Sequence, residues 1–226
     1  MVYCFIQARM GSLRLPGKVL KNICEKPVLQ HIIERVKYSK FTDKIIVATS
    51  TNQENNAIEK LCNKLYIPCF RGSEDDVLAR FKGAIKEFDI KPTDSIIRIC
   101  CDCPLADPDL IDSMLNIHKD NDFTSNCIER TYPDGLDIEI FKASVLDSLD
   151  FNKFNPFELD YNIDSFKYTD LKIHSMKQTE NMSHFRWTLD TSDDFKFIKN
   201  IYEKLYKPGK IFLMEDILNE VNTWNS

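Results

Sequence analysis

Three cations, Arg9, Arg14 and Lys18, stand close together in "ARMGSLRLPGK" (8–18), among Gly11, Ser12, Pro16 and Gly17. Glycines let a backbone come close to an anion, exposed N–H groups cradle it, and Arg and Lys neutralise it. The stretch is not a Walker A loop: five residues separate Gly11 from Gly17, and Val19 stands where that motif needs Ser or Thr. It does not follow the Rossmann glycine pattern either, so it reads as a phosphate-binding turn of another type. Two aspartates offer the complementary chemistry, Asp102 in "CDCPLADPD" (101–109) and Asp190 in "RWTLDTSDDF" (186–195). Magnesium takes one or two carboxylates together with phosphate oxygens and water, so two such residues could share one ion. Spacing alone leaves them equally open to turn roles, and Asp107 and Asp109 are explained as helix-start residues. In "FRGSEDDVLAR" (70–80), Arg71, Ser73 and Asp76 could meet a base or ribose, or simply open an acidic helix. The sequence shows no nucleophile elbow.

Charge narrows the ligand. The 226-residue chain carries a net charge of −5, yet residues 1 to 37 hold seven Lys and Arg against two Glu. A nucleic-acid track would need a broad basic face; one basic turn on an acidic protein suits a small anion. Hydrophobic residues make up 43% and charged residues 29%, the balance of a folded globular chain. No apolar run approaches the roughly 18 residues of a membrane span, and "MVYCFIQAR" lacks a basic leader and a cleavage site. A cytoplasmic protein is the expectation. The eight cysteines fall mostly in apolar segments, and "CCDC" (100–103) has no second Cys or His pair at zinc spacing, so they read as core thiols.

The elements that must carry these loops alternate. Strands are expected at 2–8, 44–50, 67–70 and 94–100, and helices at 27–39, 52–65, 75–88 and 107–119. That order predicts a mostly parallel sheet covered on both faces. Past residue 120 the pattern loosens: strands at 122–126, 136–141, 171–176 and 185–190, helices at 143–149, 192–205 and 213–224, with 150–170 lacking a clear period. One domain spanning 1–226 is the reading.

Taken together, "IQARMGSLRLPGKVL", "FRGSEDDVLARF", "DCPLADPDLID", "YPDGLDIEIF" and "FRWTLDTSDDF" resemble the SpsF-type spore-coat polysaccharide cytidylyltransferases. More distantly they resemble the acylneuraminate and 3-deoxy-manno-octulosonate cytidylyltransferases. The resemblance covers about residues 3–141 and 183–202. It implies an α/β, GT-A-like (Rossmann-related) three-layer fold and transfer of CMP from CTP to an anionic acceptor with release of pyrophosphate. Such an acceptor is an acidic sugar of the nonulosonic or ulosonic kind, or a related phosphate or phosphonate. By position, Arg9, Gly11, Ser12, Arg14 and Lys18 would hold the triphosphate, Ala8 would lie beside the base, and Arg71 and Ser73 would help read cytosine and ribose. Asp102 and Asp190 match the magnesium aspartates, and Arg14 and Lys18 would stabilise the departing pyrophosphate. Tyr132, Asp134, Asp137 and Glu139 are candidates for the acceptor. A homodimer is implied, with residues 120–182 serving acceptor and dimer contacts; neither nucleic acid nor membrane is an expected partner. Cys101 replaces the family's usual glycine beside the metal aspartate, and the Glu-His-Val-Thr stretch of many SpsF-type chains is replaced by "PFELDYNI" (156–163), which keeps only Glu158. Two alternatives stand beside this reading: a nucleotidyltransferase using another NTP on a sugar 1-phosphate, and a non-catalytic nucleotide-binding subunit. Retention of both aspartates and all three cations argues against the second.

Overall fold

The computed structural model describes residues 1–148 and 170–224; the stretch containing "PFELDYNI" and part of the expected acceptor and dimer portion lie outside the described residues. Strand β1 (Val2–Gln7) alternates its side chains between two apolar layers. Cys4 and Ile6 join one core cluster, Tyr3 and Phe5 the other. Strands β4 (Lys44–Ser50) and β6 (Ser95–Cys100) repeat this alternation, with Ile45, Val47, Ile97 and Ile99 on the first face and Ile46 and Ile96 on the second. A strand buried on both faces must be apolar at nearly every position, which is why these runs stand out in the sequence.

Between β1 and β4 come a two-stranded ribbon, β2 (Asn22–Ile23) with β3 (Lys26–Pro27), and helix α1 (Val28–Val36). Helix α2 (Asn56–Leu65) leads to β5 (Cys69–Gly72), and α3 (Val77–Glu87) leads to β6. After β6 follow α4 (Pro108–His118), β7 (Phe123–Ser125), β8 (Glu139–Lys142) and α5 (Val145–Ser148). Beyond the undescribed stretch lie β9 (Ile173–Ser175), α6 (Ser192–Leu205) and α7 (Met214–Trp224). Core side chains of α1, α2, α4, α6 and α7 cover the first face of the sheet, and those of α3 and α5 the second.

The sheet order is β5-β4-β1-β6-β8-β7-β9. Strands β5, β4, β1 and β6 are mutually parallel, β8 runs antiparallel between β6 and β7, and β9 pairs parallel with β7. The chain thus builds outward from β1 to β5 and then crosses back to place β6 on the other side of β1. That reversal is a topological switch point, and ligands in open α/β sheets bind beyond the strand carboxyl ends at such points.

Several expected boundaries move for local reasons. The strand expected at 67–70 begins at Cys69, because Tyr66 ends α2 in a left-handed conformation (φ 56°) and the Ile67 N–H bonds back to the Cys62 carbonyl at 2.9 Å. Arg71 therefore lies within β5. Residues 185–190 do not form the expected strand; they run alongside the 133–136 turn with a single parallel bridge between Asp134 and Arg186. Asn52 heads a short 3-10 turn over Gln53–Asn55 that precedes α2. Helix α6 keeps its expected bounds and is capped by Thr191, whose hydroxyl accepts the Asp194 N–H while the Asp194 carboxylate accepts the Thr191 N–H. We expect Thr191→Ala to lower unfolding stability by about 1 kcal/mol, measured by urea titration.

Candidate active site

Gly17 adopts φ 67°, a conformation that costs a Cβ-bearing residue and suits glycine, and starts the 3-10 turn Lys18–Leu20. The turn before it closes on one atom: the Met10 carbonyl accepts the N–H groups of both Ser12 (2.9 Å) and Gly17 (3.0 Å). The Met10 N–H is held by Asn55 Oδ1 at 2.8 Å. This leaves the N–H groups of Gly11, Leu13 and Arg14 without a protein acceptor among the described residues, an arrangement that can receive an anion. Ala8 is buried at the end of β1, its N–H bonded to the Ala48 carbonyl. Arg9 reaches Glu74 at 3.2 Å. Ser12 Oγ accepts the Leu15 N–H.

Lys18 is the centre of the site. Its Nζ lies 3.0 Å from Asp190 Oδ1, 3.4 Å from Asp102 Oδ2 and 2.7 Å from the Leu189 carbonyl. The two aspartates, far apart in sequence, are thereby brought to one ammonium. Their backbones are joined too: the Asp102 carbonyl accepts the Leu189 N–H at 2.8 Å and the Thr188 hydroxyl at 3.2 Å. The segment after Asp102 is fixed from below, where Tyr202 donates to the Pro104 carbonyl and Arg35 to the carbonyls of Ala106 and Phe212. Asp107 caps α4 through the Asp109 and Leu110 N–H groups, the helix-start role expected of it.

Asp190 also meets Arg14 at 2.9 Å and Arg186 at 3.1 Å. Burial raises the Asp190 pKa, but the Lys18 hydrogen bond and the charges of Lys18 and Arg14 outweigh it and hold the carboxyl below its ordinary value. Burial likewise pulls the Lys18 pKa down, and Asp102 and Asp190 together push it above the usual lysine value. Both partners are ionised at neutral pH. Two carboxylates so placed are a donor set that could hold Mg²⁺. Among the described residues no group of three or more His, Cys, Asp or Glu side chains forms a metal cage, so an ion here would draw its remaining ligands from phosphate and water.

Beside this cluster opens a cavity of about 280 Å³, whose lining includes Arg98, Arg130, Asp102, Asp134, Asp137 and Glu139. Its arginines are matched: Arg98 bonds Glu139, and Arg130 bonds Asp137 with both terminal nitrogens. Asp134 sits between Arg130 (3.6 Å) and Arg186 (3.0 Å). Burial and the nearby Asp137 raise the Asp134 pKa against the pull of those two arginines.

The structure therefore brings together Arg14, Lys18, Asp102 and Asp190, with Asp134, Asp137 and Glu139 lining the adjoining cavity. Tyr132 is instead packed in the hydrophobic core, and it does not line that cavity. Arg71 donates to Glu59 and to the carbonyls of Ser50 and Asn52, bracing the β4–α2 connection. Ser73 Oγ accepts the Asp76 N–H, while its carbonyl is held by the buried Arg80. Cys101 buries its thiol in the core, away from the cavity lining, and its backbone is not in the left-handed region. Arg186 was not singled out by sequence, although its place four residues before Asp190 offered a signal. Its guanidinium joins Asp134, Asp190 and Asp194.

A parallel sheet with a cationic turn and paired carboxylates at its switch point has the architecture of the nucleotidyltransferases. Solved structures share the fold, two among them as follows. A cytidylyltransferase from Leptospira borgpetersenii superimposes with TM-score 0.87 at 30% identity, covering 99% of this chain and 94% of that one. CMP:2-keto-3-deoxy-manno-octonic acid synthetase complexed with CTP gives TM-score 0.67 at 15% identity, covering 91% and 99%. The Bacillus subtilis spore coat polysaccharide biosynthesis protein SpsF is 33% identical over 210 residues, 88% of this chain and 85% of SpsF. The cytidylyltransferase family model matches residues 3–212. The chain belongs to the cytidylyltransferase family, and it is a nucleotidyltransferase enzyme.

Proposed function

We propose that this enzyme transfers CMP from CTP to an anionic acceptor and releases pyrophosphate, with Mg²⁺ held by Asp102 and Asp190. The observation that carries this reading is the meeting of Lys18 with both aspartates at the carboxyl ends of β1 and β6. When bound, the metal supplies Lewis-acid polarisation of a phosphoryl oxygen. The chain's own groups do the rest. Arg14 and Lys18, with the N–H groups of Gly11, Leu13 and Arg14, bind the triphosphate and neutralise the leaving pyrophosphate, which is most of what phosphoryl-type transfer asks of a protein. No side-chain nucleophile is needed, so the acceptor oxygen displaces pyrophosphate directly.

The acceptor occupies the cavity beside Asp102. Arg98 and Arg130 meet its anionic function by exchanging their present partners Glu139 and Asp137, and Asp134 can accept from its hydroxyls. Its class is an acidic sugar of the ulosonic or nonulosonic kind, or a related phosphate or phosphonate. The likeness to SpsF supports a role in surface-polysaccharide synthesis. A pyrophosphate-release screen with CTP, Mg²⁺ and a panel of such acceptors tests the reading. Release with UTP or dTTP but none with CTP would overturn it. The turn has its own test: Arg14→Ala should weaken CTP binding about tenfold while leaving free cytidine unchanged, measured by calorimetry. Equal losses for both ligands would count against phosphate contacts.

A further inference from the structure

We infer that Lys18 is an internal counter-ion, its ammonium standing between Asp102 and Asp190 in the nucleotide-free protein so that a divalent cation binds weakly there until a triphosphate draws Lys18 away. The inference rests on the two-aspartate reading given above. Lys18 Nζ lies within 3.4 Å of both carboxylates, so one positive centre already answers the pair. Its position is built into the fold: the Leu189 carbonyl holds the ammonium from a third side at 2.7 Å, and the side chain is only 11% exposed. The second oxygen of Asp190 is taken by Arg14 at 2.9 Å and Arg186 at 3.1 Å. Asp190 is thus compensated from three directions before any ligand arrives.

A divalent ion that sheds water to reach this pair must gain more than the displaced ammonium gives up. Removing one partner of a buried ion pair without a replacement is strongly unfavourable. A triphosphate changes the balance. Its oxygens offer Lys18 and Arg14 charge-assisted partners of equal quality, and they complete the oxygen shell of the metal. The flexible four-carbon stem of lysine lets the ammonium change partners without moving the turn that carries it. Linkage then requires nucleotide and metal to tighten each other's binding by the same factor.

The test uses Mn²⁺ as a spectroscopic probe, titrated into the nucleotide-free full chain with free ion read by electron paramagnetic resonance. Lys18→Met removes the ammonium and keeps an apolar stem. Lys18→Gln keeps a donor for the Leu189 carbonyl, and circular dichroism with thermal melting selects the folded variants. The expected result is Mn²⁺ binding about tenfold or more tighter in the Lys18 variants than in the unaltered protein, a gain reversed by adding Asp190→Asn. Unchanged affinity in folded Lys18 variants, with Asp190→Asn still abolishing Mn²⁺ binding, overturns the counter-ion role and leaves the two-aspartate reading standing. A gain that survives Asp190→Asn, or Mn²⁺ binding that never depends on Asp190, overturns that reading and the inference with it.

Discussion

Replacing either Asp102 or Asp190 by asparagine should lower turnover by about a thousandfold while moving CTP affinity by no more than about threefold. The asymmetry follows from the free-state partners of these carboxylates. Asp190 holds Lys18, Arg14 and Arg186 in place. Removing its charge therefore releases two cations, Lys18 and Arg14, that the triphosphate can use. Nucleotide binding then loses little, whereas the stabilisation that both carboxylates lend to the reacting phosphate is lost. Pyrophosphate release with an acceptor returned by the screen gives the turnover, and calorimetry with CTP gives the affinity. Wild-type turnover in both variants would remove these residues from the chemistry.

Gly135→Ala should cost about 3 kcal/mol or more of unfolding free energy. The Pro133–Gly135 turn is locked onto the 185–188 segment: Asp134 donates to the Phe185 carbonyl at 2.9 Å, and its own carbonyl accepts the Trp187 N–H at 2.6 Å. Gly135 has φ 105°, and a Cβ there would lie 2.4 Å from both the Thr188 nitrogen and the Trp187 carbonyl carbon. Alanine must adopt a strained conformation and also push two backbones apart, and neither backbone is free to yield. Gly209 is the natural control. Its φ is 74°, but a Cβ there meets nothing within 4 Å, so Gly209→Ala carries only the conformational cost, about 1 kcal/mol. Denaturant titration of the two variants separates the terms; equal losses would remove the packing contribution. The same lock bears on function, because the turn that sets Asp134 and the segment that sets Asp190 share it, with Arg186 spanning their carboxylates.

Local chemistry made much of this molecule legible in its sequence. Strands β1, β4 and β6 and most of the helices show themselves through apolar periodicity, which depends only on near neighbours along the chain. The basic turn and Asp102 could be placed because they immediately follow strands of that kind. The start of β5 shifted by two residues where Tyr66 closes α2, whereas α6 kept its expected bounds. The extended 185–190 segment looked like a strand because it carries the apolar residues Phe185, Trp187 and Leu189, of which Trp187 and Leu189 are buried, yet it meets a turn rather than a sheet neighbour. Tertiary structure alone decided which distant partners several charged groups meet. Lys18 meets carboxylates 84 and 172 residues away, Arg71 spends its donors bracing a loop, and Tyr132 goes to the core. Those outcomes depend on which distant segments the sheet order brings together, and no pattern within a short window carries that information.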